Sequence, residues 1–297
     1  GISDFGEMTR LTESAKPDYC VITNIGQCHL ENLGSREGIL KAKTEIFKSM
    51  NPDGYVFLNG EDDLLATVKK PWKNEIIRFG MSKKDAVYAT DVVNKGLLGS
   101  EAVIHVADTQ FPVRVPLPGV HMVLNALAAT AVGWQLGLTT EQIAEGIAQV
   151  QAVAGRSHVI ETPEYILIDD CYNANPASMK SSLDVLAYAD TRKVAILGDM
   201  GELGADELAM HREVGAYAAF KNTDVLVCIG ALSKDMAEAA KETVLATEKN
   251  MKVFHFDTKE DFYQNMGQIL NENDTILVKA SHFMKFPEIV KKLSEEA

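Results

Sequence analysis

The residues with the clearest chemical potential form the run Asp169–Pro176, in which two adjacent carboxylates are followed by a phenol and two amides. An apolar, strand-like segment, residues 165–168, precedes this run, and a helix-like segment starts near Ser178. Open α/β sheets bind ligands at the C-terminal ends of their strands. Two neighbouring carboxylates are costly there unless a cation lies close by. An Asn/Pro-rich turn that caps a helix is the structural alternative, and we interpret the run as functional.

Two other polar loops also follow apolar, strand-like segments. Gly198–Gly204 comes after residues 194–197, and Lys279–His282 comes after residues 276–278. The second loop supplies a cation, a hydroxyl and an imidazole. The glycine spacing of the first loop is not that of a dinucleotide-binding fingerprint. Because parallel strands end at the same edge of a sheet, we expect all three loops to lie together.

A lysine and a histidine are the main candidates in the first half of the chain. His29 follows the apolar segment 19–22, where it could be a metal ligand, a base or a structural residue. Lys43 lies within a helix predicted over residues 36–50. On a helical wheel it falls in the middle of an apolar stripe made of Ile39, Leu40, Ile46, Phe47 and Met50.

An inward-facing ammonium is expensive unless it is paired or chemically altered. Snorkelling of the Lys43 side chain towards water is the alternative. Lys41 faces the other way and is expected to pair with Glu45, four residues further along the helix.

The secondary-structure elements that position these residues show two different patterns along the chain. Residues 1–155 mix strands and helices, with short antiparallel strands expected between residues 75 and 116 and two helices at about 120–136 and 140–149. From residue 165 onwards, apolar strands alternate with helices, which is typical of a parallel βαβ array. The fold class is therefore α/β, and we draw the boundary between two domains after residue 155.

Composition narrows the class of protein. The 297 residues are 46% hydrophobic and 24% charged, with a formal net charge of −13, which disfavours a nucleic-acid-binding surface. The four cysteines show no Cys-x-x-Cys pair and are expected to be reduced thiols in a cytoplasmic protein. No apolar run is long enough to insert into a membrane, and no signal peptide or phosphate-binding Gly-x-x-x-x-Gly-Lys-Ser/Thr loop is found.

In their order and spacing, the motifs of nearly the whole chain resemble the Mur ligase family. The Tyr-Asn-Ala-Asn-Pro run and the Gly-Asp-Met run are typical of the branch that adds D-alanyl-D-alanine to UDP-MurNAc-tripeptide. The matching segments are Ile22–Gly26, His29–Glu31, Gly34-Ser35, Ala42-Lys43, Glu45–Phe47, Pro118-Gly119, His121, Asn125–Ala129, Gly155-Arg156, Asp169–Pro176, Leu197–Met200, Glu202–Gly204 and Val278–Ser281.

The resemblance implies a partial central ATP-binding domain in residues 1–155 and a Rossmann-like C-terminal ligase domain, with a mainly parallel sheet, in residues 156–297. The family's N-terminal domain and phosphate loop have no counterpart in this sequence. The chain is therefore expected to be a fragment that is inactive alone.

The activity implied by the resemblance is ATP-dependent amide-bond formation in peptidoglycan precursor synthesis. ATP would phosphorylate the carboxylate of UDP-MurNAc-tripeptide, and the amine of D-alanyl-D-alanine would attack the acyl phosphate. ATP and Mg²⁺ are the implied cofactors, and a monomer is expected. The alternatives are another Mur-type or folylpolyglutamate-type ligase, or a non-catalytic module that binds a nucleotide or a peptide.

The resemblance also implies roles for individual residues. His29 and Lys43 match residues that hold magnesium and act in catalysis, and the matching lysine can be carbamylated. The expected nucleotide contacts are Asn125 to adenine, Arg156 to phosphate, Asp170 to ribose, and Tyr172. The residues expected to orient the dipeptide are Asn173, Asn175, Asp199 and Ser281. Two positions depart from the family pattern: Met122 replaces an Asn, and Cys171 replaces a common Ser.

Overall fold

Alternating apolar strands and helices give two separate six-stranded sheets, which confirms the α/β class. A computed structural model of the protein describes residues 2–69 and 75–295. The chain divides into two units, Gly1–Gln151 and Ala152–Ala297, and each unit contains one of the sheets. The boundary drawn after residue 155 falls close to this division. The ligand-binding roles of the two domains remain predictions.

The sheet of the first unit has its strands in sequence order. They are β1 (Tyr19–Ile22), β2 (Tyr55–Asn59), β3 (Glu75–Gly80), β4 (Val87–Asn94), β5 (Ser100–Val106) and β6 (Thr109–Val115). Strands β1 to β4 are parallel, whereas β4, β5 and β6 form an antiparallel meander. The antiparallel pattern expected from residue 75 onwards was therefore wrong for β3, which pairs in parallel with both of its neighbours.

The helices of this unit are α1 (Glu7–Ala15), α2 (Leu30–Leu33), α3 (Arg36–Thr44), α4 (Asp63–Thr67), α5 (Val120–Gln135) and α6 (Thr140–Ala148). The helix predicted over residues 36–50 is α-helical only to Thr44 and continues as a 3₁₀ turn, Glu45–Lys48. Thr139 caps α6, because its hydroxyl accepts a hydrogen bond from the Gln142 amide while the Gln142 side chain accepts one from the Thr139 amide.

Strand β2 is buried on both faces of the first sheet. Its Phe57 belongs to a core cluster that includes residues of α5, whereas Val56 and Leu58 belong to a second cluster that includes Ile39 of α3. Successive side chains of a strand point to opposite faces. A run that is apolar at consecutive positions therefore places β2 in the centre of the unit, between two layers of helices.

The second unit has one antiparallel edge strand on an otherwise parallel sheet. Its strands are β7 (His158–Glu161), β8 (Tyr165–Asp169), β9 (Lys193–Gly198), β10 (Val225–Ile229), β11 (Lys252–Phe256) and β12 (Asp274–Lys279). Their order in the sheet is β11-β10-β9-β12-β8-β7. All neighbours are parallel except β7 and β8. All of the strands predicted after residue 165 are confirmed, and β7 was not anticipated.

Helices follow the parallel strands β8 to β12 along the chain. They are α7 (Pro176–Leu186), α8 (Glu207–Phe220), α9 (Ser233–Thr247), α10 (Lys259–Ile269) and α11 (Pro287–Glu295), with 3₁₀ turns at Gly204–Asp206 and His282–Met284. Across residues 2–69 and 75–295, no helix combines the length and apolar character that a membrane span requires.

We predict that Gly215→Ala destabilises the second unit by about 1–3 kcal/mol. A Cβ at Gly215 in α8 would lie 1.9 Å from the Met236 carbonyl oxygen in α9, so the two helices would have to move apart. Gly267 in α10 is the matched control, because a Cβ there has no neighbour within 4 Å. Gly267→Ala should stabilise the unit by about 0.5–1 kcal/mol. Urea unfolding followed by circular dichroism measures both changes, and wild-type stability of Gly215→Ala would contradict the prediction.

Candidate functional site

The polar loops predicted to share an edge lie together at the C-terminal edge of the second sheet. Strands β8, β9 and β12 are parallel neighbours, so the loops that follow them emerge side by side. Hydrogen bonds connect these loops directly. A fourth loop, Gly230–Ser233, follows the parallel strand β10 and joins the same edge.

A buried ion pair connects two of these loops. The ammonium of Lys279, which is only 2% exposed, lies 2.6 Å from Oδ2 of Asp170 and also donates to the Asn173 carbonyl at 3.0 Å. The Ser182 hydroxyl lies 2.6 Å from the same carboxylate oxygen, and the Ser157 amide donates to Oδ1 at 3.0 Å. Buried charges are tolerated when they are paired and hydrogen-bonded. Lys279 is thus the cation that we expected near the two carboxylates.

The neighbouring carboxylate, Asp169, binds backbone amides. It is 6% exposed, and it accepts hydrogen bonds from the Gly155 amide at 2.8 Å and the Cys171 amide at 3.3 Å. The Tyr172 amide donates to the Gly155 carbonyl at 3.1 Å, so the chain around Arg156 lies along the end of β8. The Cys171 thiol is buried, which raises its pKa and keeps it protonated.

An exposed cation and an exposed aromatic ring lie beside this buried network. The guanidinium carbon of Arg156 is 3.7 Å from the centroid of the Tyr172 ring, and Tyr172 is 53% exposed. The ring centroid of His282 lies 6.1 Å from that of Tyr172. An anionic or aromatic ligand would therefore meet a stacked guanidinium at this edge.

Asp199, which is predicted to orient a dipeptide, contacts the beginning of α9. Its Oδ1 accepts hydrogen bonds from the Ser233 amide at 2.7 Å and the Ser233 hydroxyl at 2.6 Å. A carboxylate at a helix N-terminus is favourable. A Cβ at Gly230 would lie 2.5 Å from the same carboxylate oxygen, so glycine at this position permits the close approach.

Ser281 links the loop after β12 to the loop after β9. Its hydroxyl accepts a hydrogen bond from the Gly201 amide at 2.9 Å, and its amide donates to the Asp199 carbonyl at 3.0 Å. Ser281 is 4% exposed and Asp199 is 7% exposed. Both residues therefore fix the shape of the edge, and their predicted contacts to a dipeptide remain predictions.

His211 of α8 is a buried residue of the site that sequence reasoning missed. Its Nε2 accepts a hydrogen bond from the Met200 amide at 2.9 Å, and its Nδ1 lies 2.7 Å from the Glu207 carbonyl oxygen. These partners require a neutral imidazole protonated at Nδ1. A single histidine in a helical segment gives no sequence signal for this contact to a loop.

The two asparagines of the Asp169–Pro176 run have different positions. Asn175 is the N-cap of α7: its Oδ1 accepts a hydrogen bond from the Ser178 amide at 2.9 Å, and Pro176 follows at the start of the helix. The Asn173 side chain is exposed and accepts a hydrogen bond from the Ala174 amide at 2.9 Å. The structural alternative for the run is therefore present, within the same loop as the buried ion pair.

Residues that the sequence reasoning did not place in the site include Ser157, Ser182 and Gly155, besides His211 and Ser233. Ser182 lies one helical turn after Ser178, on α7, and its hydroxyl reaches the Asp170 carboxylate directly after β8. Helical periodicity places Ser182 on the same face as Ser178. The amides of Gly155 and Ser157 have no such signal, because a backbone donor is present at almost every residue.

In the first unit, His29 and Lys43 line the same cavity, which has a volume of about 320 Å³. The Lys43 ammonium donates to the Asn24 carbonyl at 2.9 Å. The other lining residues are mostly apolar: Ile2, Met8, Val21, Ile22, Thr23, Cys28, Leu33, Ile39 and Ile46. Lys43 is half-buried, so its side chain reaches the cavity while its ammonium contact with Asn24 stays exposed.

The expected pair between Lys41 and Glu45 was wrong. Glu45 is buried and accepts hydrogen bonds from the Gly6 amide and the Thr9 hydroxyl, each at 3.0 Å. Its carboxylate thereby binds the N-terminus of α1, where a negative charge is favourable. The Lys41 ammonium instead lies 5.5 Å from the centroid of the Phe5 ring.

The side chains of this cavity do not by themselves fit a magnesium ion. Mg²⁺ prefers oxygen ligands in octahedral geometry, whereas His29 supplies an imidazole and Lys43 an ammonium. Within residues 2–69 and 75–295, no group of three or more His, Cys, Asp or Glu side chains is arranged to bind a metal. A carbamate on Lys43 would replace the ammonium with anionic oxygens.

Asn125 lies on the exposed side of α5 in the first unit. Its amide nitrogen is 3.5 Å from the sulfur of Met122, one helical turn earlier. Met122 stands where the resemblance expects an Asn, so the side chain next to Asn125 offers a weak sulfur acceptor in place of a second amide.

Comparisons with known proteins identify the family to which both units of the chain are similar. The family model for the Mur ligase middle domain matches residues 1–133, and the model for the Mur ligase glutamate ligase domain matches residues 155–282. The chain is 35% identical to the UDP-N-acetylmuramoyl-tripeptide–D-alanyl-D-alanine ligase of Bacillus subtilis, covering 99% of this chain and 63% of the relative. It therefore spans less than two thirds of that relative's length.

Two solved structures have the same fold. MurF from Acinetobacter baumannii superposes with a TM-score of 0.89 and 29% identity, covering 99% of this chain and 63% of that chain. The MurF ligase of Thermotoga maritima, solved in complex with ADP, has a TM-score of 0.84 at 24% identity and covers 99% of this chain and 65% of that chain. At that lower identity the likeness concerns the fold alone.

We predict that Lys279→Met destabilises the second unit by about 3–5 kcal/mol, because it leaves the Asp170 carboxylate buried without a cation. Lys180→Met is the matched control. It removes the ion pair of Lys180 with Glu213, whose side chain is 54% exposed, and should cost at most about 1 kcal/mol. Urea unfolding of both variants measures the difference, and equal losses of stability would contradict a special role of the buried pair.

Proposed function

The chain belongs to the Mur ligase family, and we propose that it is the nucleotide-handling and dipeptide-handling part of a ligase that joins D-alanyl-D-alanine to UDP-MurNAc-tripeptide. The observation that carries this proposal is the convergence of the Asp169–Pro176 run, the Gly-Asp-Met loop and Ser281 at one sheet edge. Within this set, the Tyr-Asn-Ala-Asn-Pro run and the Gly-Asp-Met run are the two that resemble this branch of the family in particular. The 35% identity to a ligase of this name supports the same branch.

The proposed reaction forms an amide bond at the expense of ATP. The carboxylate of UDP-MurNAc-tripeptide attacks the γ-phosphate and gives an acyl phosphate and ADP. The amine of D-alanyl-D-alanine then attacks the acyl carbon and forms the C–N bond. The acyl C–O bond breaks, inorganic phosphate leaves with that oxygen and its electron pair, and the nitrogen gives up a proton to solvent. The protein's part in such a reaction is chiefly to position the reactants and to stabilise negative charge.

We assign the nucleotide to residues that the structure leaves accessible or places at the sheet edge. Arg156 is exposed and cationic, which suits a phosphate contact, and Tyr172 lies beneath its guanidinium. Asn125 is exposed on α5, which suits a contact to adenine. Asp170 is assigned to ribose, although Ser157, Ser182 and Lys279 also bind its carboxylate.

We assign the dipeptide to the side chains around Ser281. Asn173 is exposed at the edge, and Asn175, Asp199 and Ser281 fix the backbone beside it. In this arrangement Asn173 contacts the dipeptide through its side-chain amide, whereas the other three residues set the shape of the surface on which the dipeptide lies.

Magnesium is assigned to His29 and Lys43 on the condition that Lys43 is carbamylated, since an ammonium cannot bind a cation. When bound, the ion would offset repulsion between the phosphates and the acceptor carboxylate. The position of Lys43 supports the assignment, because Lys43 and His29 line the same mostly apolar cavity.

The direct test is to incubate the protein encoded by the complete reading frame with ATP, Mg²⁺, UDP-MurNAc-tripeptide and D-alanyl-D-alanine. Release of phosphate and formation of the pentapeptide product are expected, and L-alanine or D-glutamate should not replace the dipeptide. The 297-residue chain alone should fold but not ligate, because its sequence has no phosphate-binding loop for the β- and γ-phosphates. Preference for another amino acid would overturn the proposed substrate, and turnover by the chain alone would overturn the expected need for that loop.

We predict that Lys43→Ala in the same complete protein lowers kcat by at least about 100-fold, as expected for loss of a group that binds the metal. Lys41→Ala is the matched control on the same helix, because Lys41 is exposed and lies outside the cavity. Added bicarbonate should raise wild-type activity if carbamylation is incomplete, and it should not rescue Lys43→Ala. Wild-type turnover by Lys43→Ala would reject the role.

A further inference from the structure

We propose that Asp169 and Tyr172 are positioning residues that fix the guanidinium of Arg156. The inference rests on the proposed function, in which Arg156 contacts a phosphate of the nucleotide. Asp169 acts through the backbone next to Arg156, and Tyr172 acts through the side chain of Arg156.

The backbone contact begins at a glycine. Gly155 has φ +76°, a conformation that favours glycine, and its amide donates to Oδ2 of Asp169 at 2.8 Å. Its carbonyl accepts a hydrogen bond from the Tyr172 amide at 3.1 Å. A Cβ at Gly155 would lie 3.2 Å from that amide nitrogen, so a side chain would crowd the contact. Asp169 thereby fixes the backbone conformation directly before Arg156.

The residue on the other side of Arg156 is bound in the same way. The Ser157 amide donates to Oδ1 of Asp170 at 3.0 Å. The adjacent carboxylates of Asp169 and Asp170 therefore bind the amides on either side of Arg156, which leaves this residue little backbone freedom. Asp169 is 6% exposed, so its carboxylate acts on the backbone and is shielded from a ligand outside.

Tyr172 restricts the Arg156 side chain without using its hydrogen-bond donors. The guanidinium carbon lies 3.7 Å from the ring centroid. All N–H donors of a guanidinium lie in its own plane, so a ring on its face leaves the edges available to a phosphate. A long arginine side chain would otherwise lose its rotamer freedom only on binding the ligand, which would weaken the binding.

The test measures ATP affinity by isothermal titration calorimetry with the protein encoded by the complete reading frame. Tyr172→Leu should raise the Kd for ATP by about two- to five-fold, as expected for loss of a cation–π contact at an exposed site. Tyr172→Phe retains the ring and should restore most of the affinity. Phe220→Leu is the matched control, because Phe220 is 58% exposed and also lies beneath a cation, Lys249, away from the four loops of the site.

A double-mutant cycle separates positioning from direct contact. Both Tyr172→Leu and Asp169→Asn should weaken ATP binding in the presence of Arg156 and have no further effect in the Arg156→Ala background. The KM for D-alanyl-D-alanine should stay unchanged in Tyr172→Leu. Asp169→Asn retains one acceptor oxygen, and thermal unfolding checks that it folds. Because Tyr172 is 53% exposed, its variants test the inference even if Asp169→Asn does not fold.

The outcomes distinguish this inference from the function on which it rests. Equal effects of Tyr172→Leu with and without Arg156 would overturn the inference alone, because they would indicate a direct contact between Tyr172 and the nucleotide. Unchanged ATP affinity in Arg156→Ala would overturn the inference together with the phosphate contact. ATP binding with the predicted coupling but without ligation would support the inference and overturn the proposed reaction.

Discussion

The buried ion pair between Lys279 and Asp170 is the interaction on which the candidate site depends. The two residues are 109 positions apart, and they close the gap between the C-terminal ends of β12 and β8. Neither charge is stable in this place alone, because desolvation of an unpaired ion costs several kcal/mol. The pair therefore requires β8 and β12 to be neighbours. Strand β9 pairs with the other edge of β12, and the loop after β9 therefore also reaches Ser281.

Local sequence was sufficient to predict much of the second unit. The strands after residue 165 are short apolar runs separated by helices, a pattern that periodicity detects, and parallel pairing places their ends at one edge. The edge strand β7 was missed because its residues are only partly buried and show no apolar run. The site was predictable as a location, since polar loops follow apolar strands. The hydrogen-bond partners of its carboxylates were not predictable, since these are backbone amides, those of Gly155 and Ser157.

Contacts between distant residues explain the errors in the first unit. The N-terminus of helix α1 is bound by Glu45, which is 39 residues from Gly6. Helical spacing suggested that Glu45 would pair with Lys41, but an exposed i,i+4 ion pair contributes only a few tenths of a kcal/mol. Several hydrogen bonds that one carboxylate accepts at a buried helix N-terminus stabilise the fold by more than such an ion pair does. Thus the tertiary contact determined the partner of Glu45, whereas the apolar stripe predicted that Lys43 reaches the cavity lined by His29.

The acidic composition of the chain makes the arrangement of its cations important. With a net charge of −13, the protein as a whole repels anions, so a nucleotide must be attracted by cations at close range. Lys279 and Arg156, both at the C-terminal edge, have different tasks. Lys279 is buried and its charge is neutralised by Asp170, whereas Arg156 is exposed and stacks on a ring that carries no formal charge. The carboxylates next to Arg156 bind its flanking amides and leave its guanidinium to the ligand. An acidic protein can in this way present a positive charge to a ligand from a loop built on two aspartates.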